Sequence, residues 1–566
     1  MKARGLSVAV ALAAALALSG CGGGSSGSGG GGSGGVKQGG IFRLGTTNYI
    51  DTLNPFNYIE AESSVAYQEV YPVLVQYTPG LKKITGAWAT SWDVSDGGKT
   101  YTFHLRPGGK WSDGKPLTAA DAAWTANTII KYQSGPTAVQ ASALAHATKA
   151  EAPDANTLVV HYEKPVGNAL PQIETFYTLP KHVWDKYLGN KGKDLKTFLP
   201  EQHLPLVSGG PFELTQYQKK GTTVFKPNPG WNGTKPNVDA VALVYYTNSD
   251  SMIADLKTGH VDAVDQVPFS AVKPLESATN VQIQKYPSGE ITNITWNDNP
   301  HKTKNRELLD PRVKEALSMC VNRKQIIDIV FNGFASTDES LLGHIAGDWQ
   351  NPNIKPLEYN CAKGNQILDQ LGYKKGANGI RVAPATAGQP AHPMQYQIMV
   401  PNSLDFNGDR EFAIVQQGFQ QAGVKVSEQA GGDSTAAYAI ETGPKCDPAK
   451  NIGYDSFDIA LWDWVASPDP DFQLSVVTKP QWCSWSDTGW DNPAYDKMYL
   501  QQATLVNQKQ RRDLVWKMDK IIHDNWLYTQ LVNEVGIAAV SKKWAGYDSQ
   551  MGGWTPNYFI TPHQVG

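Results

Sequence analysis

The chain has 566 residues, 41% of them apolar and 18% charged, and its 50 basic and 53 acidic residues nearly balance. That length exceeds a single ordinary core, so two or more domains are expected. The composition excludes an intrinsically disordered chain, and a net charge of −3 gives no electrostatic footprint for nucleic acid.

Lys2 and Arg4 precede an unbroken apolar run from Val8 to Leu18. The run is too short to cross about 30 Å of hydrocarbon and fits the core of a signal peptide. Leu18-Ser19-Gly20-Cys21 then resembles a bacterial lipoprotein signal. The resemblance implies that 1–20 is removed and that Cys21 carries lipid, which anchors through about 0.8 kcal/mol per buried methylene. Residues 22–35 are only Gly and Ser, so 21–35 reads as a flexible tether. Gly31-Gly32-Ser33-Gly34-Gly35 matches a hydrolase elbow by composition alone, since no strand precedes it.

The remaining chain reads as mixed strand and helix, the α/β class. Residues 91–94 and 100–106 flank Asp96-Gly97-Gly98, and Tyr101, Phe103 and Leu105 alternate with polar residues. This predicts a hairpin with one buried face. Thr118, with Asp121 three residues on, predicts a capped helix start. Strands are expected over 212–217, 222–226 and 239–246, and Ser249 is expected to cap a short helix ending at Gly259. Asp310-Pro311 starts a longer helix that buries Val313, Ala316, Leu317 and Cys320 and stops by Gly333. Residues 395–400, 409–422 and 424–428 read as strand, helix, strand, a parallel crossover unit with Gly423 at the helix stop. Two helices, broken near Asn507, are expected over 493–525.

After Cys21 come Cys320, Cys361, Cys446 and Cys483. An even count in an exported chain points to two disulfides, and three pairings are possible. Proximity in sequence favours Cys320–Cys361 and Cys446–Cys483. No pair has the close spacing of a zinc knuckle.

Six motifs in order carry a family resemblance. They are Ala89 to Arg106, Trp111-Ser112-Asp113-Gly114 with Thr118 to Asp121, Ser208 to Phe212, and Asn228-Pro229-Gly230-Trp231. Asp310 to Leu317 with Val321-Asn322-Arg323 follows, then Trp464, Asp469-Pro470 and Asn492 to Asp496. The pattern resembles the extracellular solute-binding proteins of peptide- and nickel-type ABC importers. The resemblance implies a two-lobed periplasmic-binding-protein type II fold with an extra third domain. Lobe I would take 36–66, 206–292 and 530–566, with the extra domain at 67–205, and lobe II would take 293–529. Crossings between lobes are expected near Ile291–Trp296 and Tyr528–Asn533. A ligand touching both lobes would stabilise closure.

In the peptide binders that this chain resembles, an Asp three residues after the Trp matching Trp464 meets the ligand ammonium. Here that place is Ser467, which carries no charge. Asp469 and Asp471 could substitute, or the ligand is an oligosaccharide or another neutral solute. Trp462 and Trp464 alternate onto one face, where they form either a stacking platform or core. Trp296 and Asn297 at the hinge strand, and Asn48 and Tyr49 after the first strand, are further ligand candidates. Asp463, Asp469 and Asp471 read as part of a loop stiffened by Pro468 and Pro470 rather than a calcium site, and no metal or cofactor is expected. A secreted hydrolase is the rival class, but the 11 His contain no His-Glu-x-x-His. A sensory role uses the same fold. The expectation is a monomeric, lipid-anchored receptor outside the cell membrane that performs no chemistry and hands its solute to permease subunits driven by cytoplasmic ATPases.

Overall fold

The computed structural model describes residues 37–386, 389–401, 408–431, 446–447, 457–548 and 559–565. The expected signal peptide and tether, with Cys21, lie outside the described residues. Among those described, no helix is long and apolar enough to cross a membrane.

In chain order the first elements are β1 (Ile41–Thr46), α1 (Glu62–Val70), β2 (Ala89–Ser95), β3 (Thr100–Leu105), α2 (Ala119–Tyr132), β4 (Ala147–Asp154) and β5 (Thr157–Tyr162). Next come β6 (Phe212–Gln216), β7 (Thr222–Pro227), β8 (Ala240–Tyr245), α3 (Ser249–Thr258), β9 (Ala263–Val264), α4 (Phe269–Glu276) and β10 (Val281–Trp296). The later elements are α5 (Pro311–Ser318), α6 (Arg323–Ile329), β11 (Ala335–Ser336), α7 (Cys361–Gln370), β12 (Gln395–Pro401), α8 (Gly408–Gln421) and β13 (Lys425–Gly431). β14 (Ile459–Val465), α9 (Pro493–Gln502), α10 (Gln508–Asp524) and β15 (Tyr528–Ser541) follow.

Local chemistry explains most boundaries. Asp96, Gly97 and Gly98 all take positive φ and turn β2 into β3. Thr118 and Asp121 form the reciprocal capping box at α2. Asn248, not Ser249, caps α3: its side chain accepts from Ser251 N at 3.0 Å. The long helix expected from Asp310 is two helices, because Asn322 caps α6 through Gln325 N at 3.1 Å and ends the run that α5 began. Asn507 caps α10 through Gln510 N at 3.1 Å, which sets the break expected near it. Both disulfides follow the pairing by proximity, Cys320–Cys361 and Cys446–Cys483.

One sheet of eleven strands organises the molecule in the order β13-β12-β14-β10-β15-β9-β1-β8-β7-β6, with β11 on β15. β12 pairs in parallel with β13 and β14, and β1 with β8 and β9. β10 and β15 run through both halves of the sheet. Residues 281–287 pair with 535–541, and 291–295 pair with 528–533. The register breaks between Pro287 and Ile291, so the interruption precedes the stretch 291–296 expected to make the crossing.

A four-stranded sheet, β2-β3-β5-β4, stands beside the first half. Its surroundings supply the buried Trp88, Trp111 and Trp184, which join Phe42, Leu44 and Val241 of the large sheet in one core. The 67–205 stretch therefore shares its interior with the first half. The second half has a core on each face. Ile294 and Trp296 pack with Val313, Phe412 and Phe419 on one side. Ile291 and Trp464 pack with Tyr495, Val515 and Met518 on the other.

Candidate functional site

Open α/β sheets bind ligands outside the carboxyl ends of their strands. In the first half these ends carry Asn48 and Tyr49 after β1, Tyr245 at the end of β8, and Asp265 and Gln266 after β9. Asn48 is exposed and donates from Nδ2 to Gln266 Oε1 at 3.2 Å. The Tyr49 ring meets Tyr245 edge-on, and the Lys220 ammonium sits 4.7 Å from its centre. Burial, with Asp265 adding repulsion, raises the Glu62 carboxyl to about 7.

At the hinge, carboxyls from four elements act on one another in pairs: Glu411 with Glu534 and Asp463, and Glu534 with Glu290 and Asp463. Thr292 of β10 pairs directly with Asp463 of β14, so the two side chains share a face of the sheet. Glu290 is two residues from Thr292 on that face, Glu534 comes from β15, and Glu411 comes from the first turn of α8. Glu411 is completely buried, whereas Glu290, Asp463 and Glu534 are half-buried. Burial raises the Glu411 carboxyl to about 8; the neighbouring Thr292 hydroxyl opposes this without reaching hydrogen-bond geometry, and Glu534 and Asp463 reinforce it. Glu534 is raised to about 8 by burial, with Glu290 and Asp463 adding to it.

The residues singled out from sequence fall mostly on the opposite face or inside the second half. Trp296 is fully buried, stacks on Phe419 with ring centres 6.1 Å apart, and donates from Nε1 to Thr529 Oγ1 at 3.0 Å. Asn297 is buried, donating to Phe457 O at 2.7 Å and accepting from Asn299 N at 3.1 Å. Both are framework residues, because the chain past Ile294 runs under α8 rather than toward the strand ends. Trp464 is 7% exposed and donates from Nε1 to Asp487 Oδ2 at 3.0 Å. Trp462 lies half-buried between two apolar clusters. The Trp464 indole is closed off from solvent, whereas that of Trp462 keeps partial exposure. The rings that reach solvent nearby are Phe472 and Trp485, 5.5 Å apart and edge-on.

The acids after Trp464 are already occupied. Asp469 takes a two-pronged ion pair from the buried Arg511, at 2.5 and 2.8 Å. Asp471 accepts from Gln502 Nε2 at 2.6 Å and from the Tyr499 hydroxyl at 3.4 Å. The Ser467 hydroxyl donates to Asp469 O at 2.8 Å. The expectation that Asp469 or Asp471 substitutes for the missing ammonium partner therefore meets a physical obstacle: a ligand would have to displace Arg511 or Gln502. Glu290, Glu411 and Glu534 were missed in the sequence reading. The available signal was Glu411 at helical spacing with Val415 and Gly418, an acid on a buried stripe.

The halves also meet away from the hinge. Tyr77 and Leu81 pack on Ile345 and Ala466, and Gly167 N donates to Ala503 O at 2.6 Å. A Cβ at Gly167 would lie 2.2 Å from Leu505 O, so only glycine permits this approach. A groove of about 540 Å³ among Glu315, Lys363, Lys520 and Trp526 lies at the amino end of β15, away from the strand ends.

The model of the bacterial extracellular solute-binding proteins, family 5, matches residues 83–483. The chain belongs to that family and is an extracellular solute-binding protein. Among named relatives, it is 22% identical over 514 residues to the probable D,D-dipeptide-binding periplasmic protein DdpA of Escherichia coli, covering 88% of this chain and 89% of that protein. It is 26% identical over 344 residues to a putative ABC transporter peptide-binding protein of Brucella ovis, covering 59% and 60%. The fold matches the substrate-binding protein CtaP of Listeria monocytogenes at a TM-score of 0.75 and 20% identity, over 94% of this chain and all of that one. It matches DppA of Helicobacter pylori, solved with the peptide STSA, at a TM-score of 0.68 and 21% identity, over 93% and 98%.

Proposed function

We propose that this protein is the solute-capturing component of an ABC importer. It closes its two halves on a peptide-like solute and presents it to membrane permease subunits. The observation that supports this reading most is the hinge: two strands, β10 and β15, serve both halves and break register together, beside the strand ends of each half. A solute held at those ends contacts both halves only when they are closed, so binding and closure are one equilibrium. Peptide-like chemistry is the reading consistent with relatives named for dipeptides and peptides. Anchoring through a lipid on Cys21 belongs to the same reading and keeps the receptor beside its permease.

A thermal-shift screen of the purified protein tests it, setting di- to hexapeptides against cello-, xylo- and malto-oligosaccharides. Ligand at about a hundred times its Kd adds roughly 2.7 kcal/mol. Stabilisation by peptides, with compaction in solution scattering, is the expected result. Stabilisation by sugars alone overturns the peptide reading and leaves the solute-capture reading intact. Cys21→Ser is expected to move the protein from the membrane to the soluble fraction.

A further inference from the structure

The orphaned side chain at the hinge says what chemistry the solute brings. Among the described residues neither carboxylate oxygen of Glu411 has a hydrogen-bond partner, although the residue is completely buried. The Thr292 hydroxyl beside it is also buried and without a partner. A buried acid without a partner costs several kcal/mol in stability unless something pairs with it. The adjacent Arg410 does not, since its guanidinium donates to the carbonyls of Ile329 and Val330. Among the described residues no cation pairs with Glu411. The half-buried Asp463 and Glu534 lie near enough to Glu411 to repel its charge, and Glu290 acts in the same way on Glu534.

We propose that Glu411, flanked by Asp463, Glu534, Glu290 and the Thr292 hydroxyl, receives an organic cation of the solute, an ammonium or guanidinium. This rests on the solute-capture reading above and adds the ligand's charge to it. Glu290, Asp463 and Glu534 stand on β10, β14 and β15 and Glu411 on α8, so a cation at Glu411 ties α8 to the hinge strands. Charge-assisted hydrogen bonds from its N–H groups satisfy the two Glu411 oxygens, which have no partner among the described residues. An extended organic cation suits the arrangement, because no group of three or more His, Cys, Asp or Glu side chains among the described residues is arranged to hold a metal ion. Glu411 would then take the cation-binding role that Ser467 cannot fill and that Asp469, paired with Arg511, is not free to take.

Calorimetry on the purified protein tests this with four cationic or neutralised probes and one sugar. Tetra-alanine carries a terminal ammonium, and N-acetyl-tetra-alanine amide lacks it. N-acetyl-Ala-Arg-Ala amide carries only a guanidinium, spermidine is a polyamine, and cellotetraose is neutral. The expected result is binding by at least one cationic probe. Glu411→Gln, which keeps shape and removes charge, is expected to weaken that probe ten-fold or more. Asp463→Asn, at a half-exposed position, is expected to weaken it in the same direction and covers the case in which Glu411→Gln does not fold. The identity of the binding probe distinguishes a peptide terminus from a side chain or a polyamine. Equal affinity for neutral and cationic probes, or unchanged affinity in both variants, overturns the cation site while solute capture stands. No binding by any probe counts against both readings.

Discussion

The two faces of the sheet at the hinge solve the same electrostatic problem in opposite ways. On the face of Ile291 and Trp464, Asp469 meets the buried Arg511, Trp464 meets Asp487, and Tyr77, Leu81, Ile345 and Ala466 exclude water between the halves. On the face of Thr292, Asp463 and Glu534 crowd Glu411, and among the described residues no cation pairs with Glu411. The first face is finished by the chain itself. The second holds carboxyls that burial keeps largely protonated near neutral pH, and a cationic ligand would draw them into the charged form. A receptor needs both: a dry contact that fixes the closing geometry, and an unsatisfied one that makes closure depend on the solute.

The sharpest way to break the finished face is Arg511→Leu. It leaves Asp469 without its partner in a mostly buried setting, and breaking such pairs costs about 3–5 kcal/mol. Urea unfolding should show that loss in midpoint without a change in slope. The next effect belongs to the other face and is read by pH. Glu411 and Glu534 are raised to about 8, and Glu62 and the buried Asp519 to about 7. Carboxyls raised by folding bind protons more tightly in the folded chain, so their stabilisation is complete below the ordinary value near 4.5 and is lost as pH rises through the folded value. The free protein should therefore melt at progressively lower temperature from pH 5 to pH 8. Glu411→Gln should flatten that slope, each unit of difference being about 1.4 kcal/mol. A cationic ligand should flatten it too, by favouring the charged form.

Much of the framework was legible because it rests on local chemistry. The Asp96-Gly97-Gly98 turn, the Thr118 box, the Gly423 helix stop at φ 79° and both disulfides follow from residues close in sequence. The six ordered motifs carried the fold. The site was less legible, because its members come from β10, α8, β14 and β15 and meet only through register. Asp463 faces Thr292 because of an antiparallel pairing that spans about 170 residues. The Asp469–Arg511 pair, which removes an expected ligand contact, joins positions 42 residues apart. Alternation placed Trp462 and Trp464 on one face correctly, but period alone does not say which face is covered.

Two smaller substitutions sharpen the contrast between faces. Trp464→Phe keeps an aromatic ring against Phe472 and removes the N–H that Asp487 accepts. Bonds to buried carboxylates contribute about 1.5–3 kcal/mol, and the Tyr528 hydroxyl still serves Asp487, so the loss should fall at the low end of that range.

The smallest effect is the most discriminating. Ser467 stands where the family's peptide binders, by resemblance, place an ammonium-binding Asp, yet its hydroxyl is spent on the carbonyl of Asp469. Ser467→Ala should cost only about 0.5–1.5 kcal/mol in denaturant unfolding, the net worth of one neutral hydrogen bond. Solute affinity should not change, because the cation is held on the other face by Glu411. If calorimetry shows Ser467→Ala weakening a cationic solute as strongly as Glu411→Gln does, the solute spans both faces. The finished face would then take part in recognition, and closure could not be assigned to the acidic face alone.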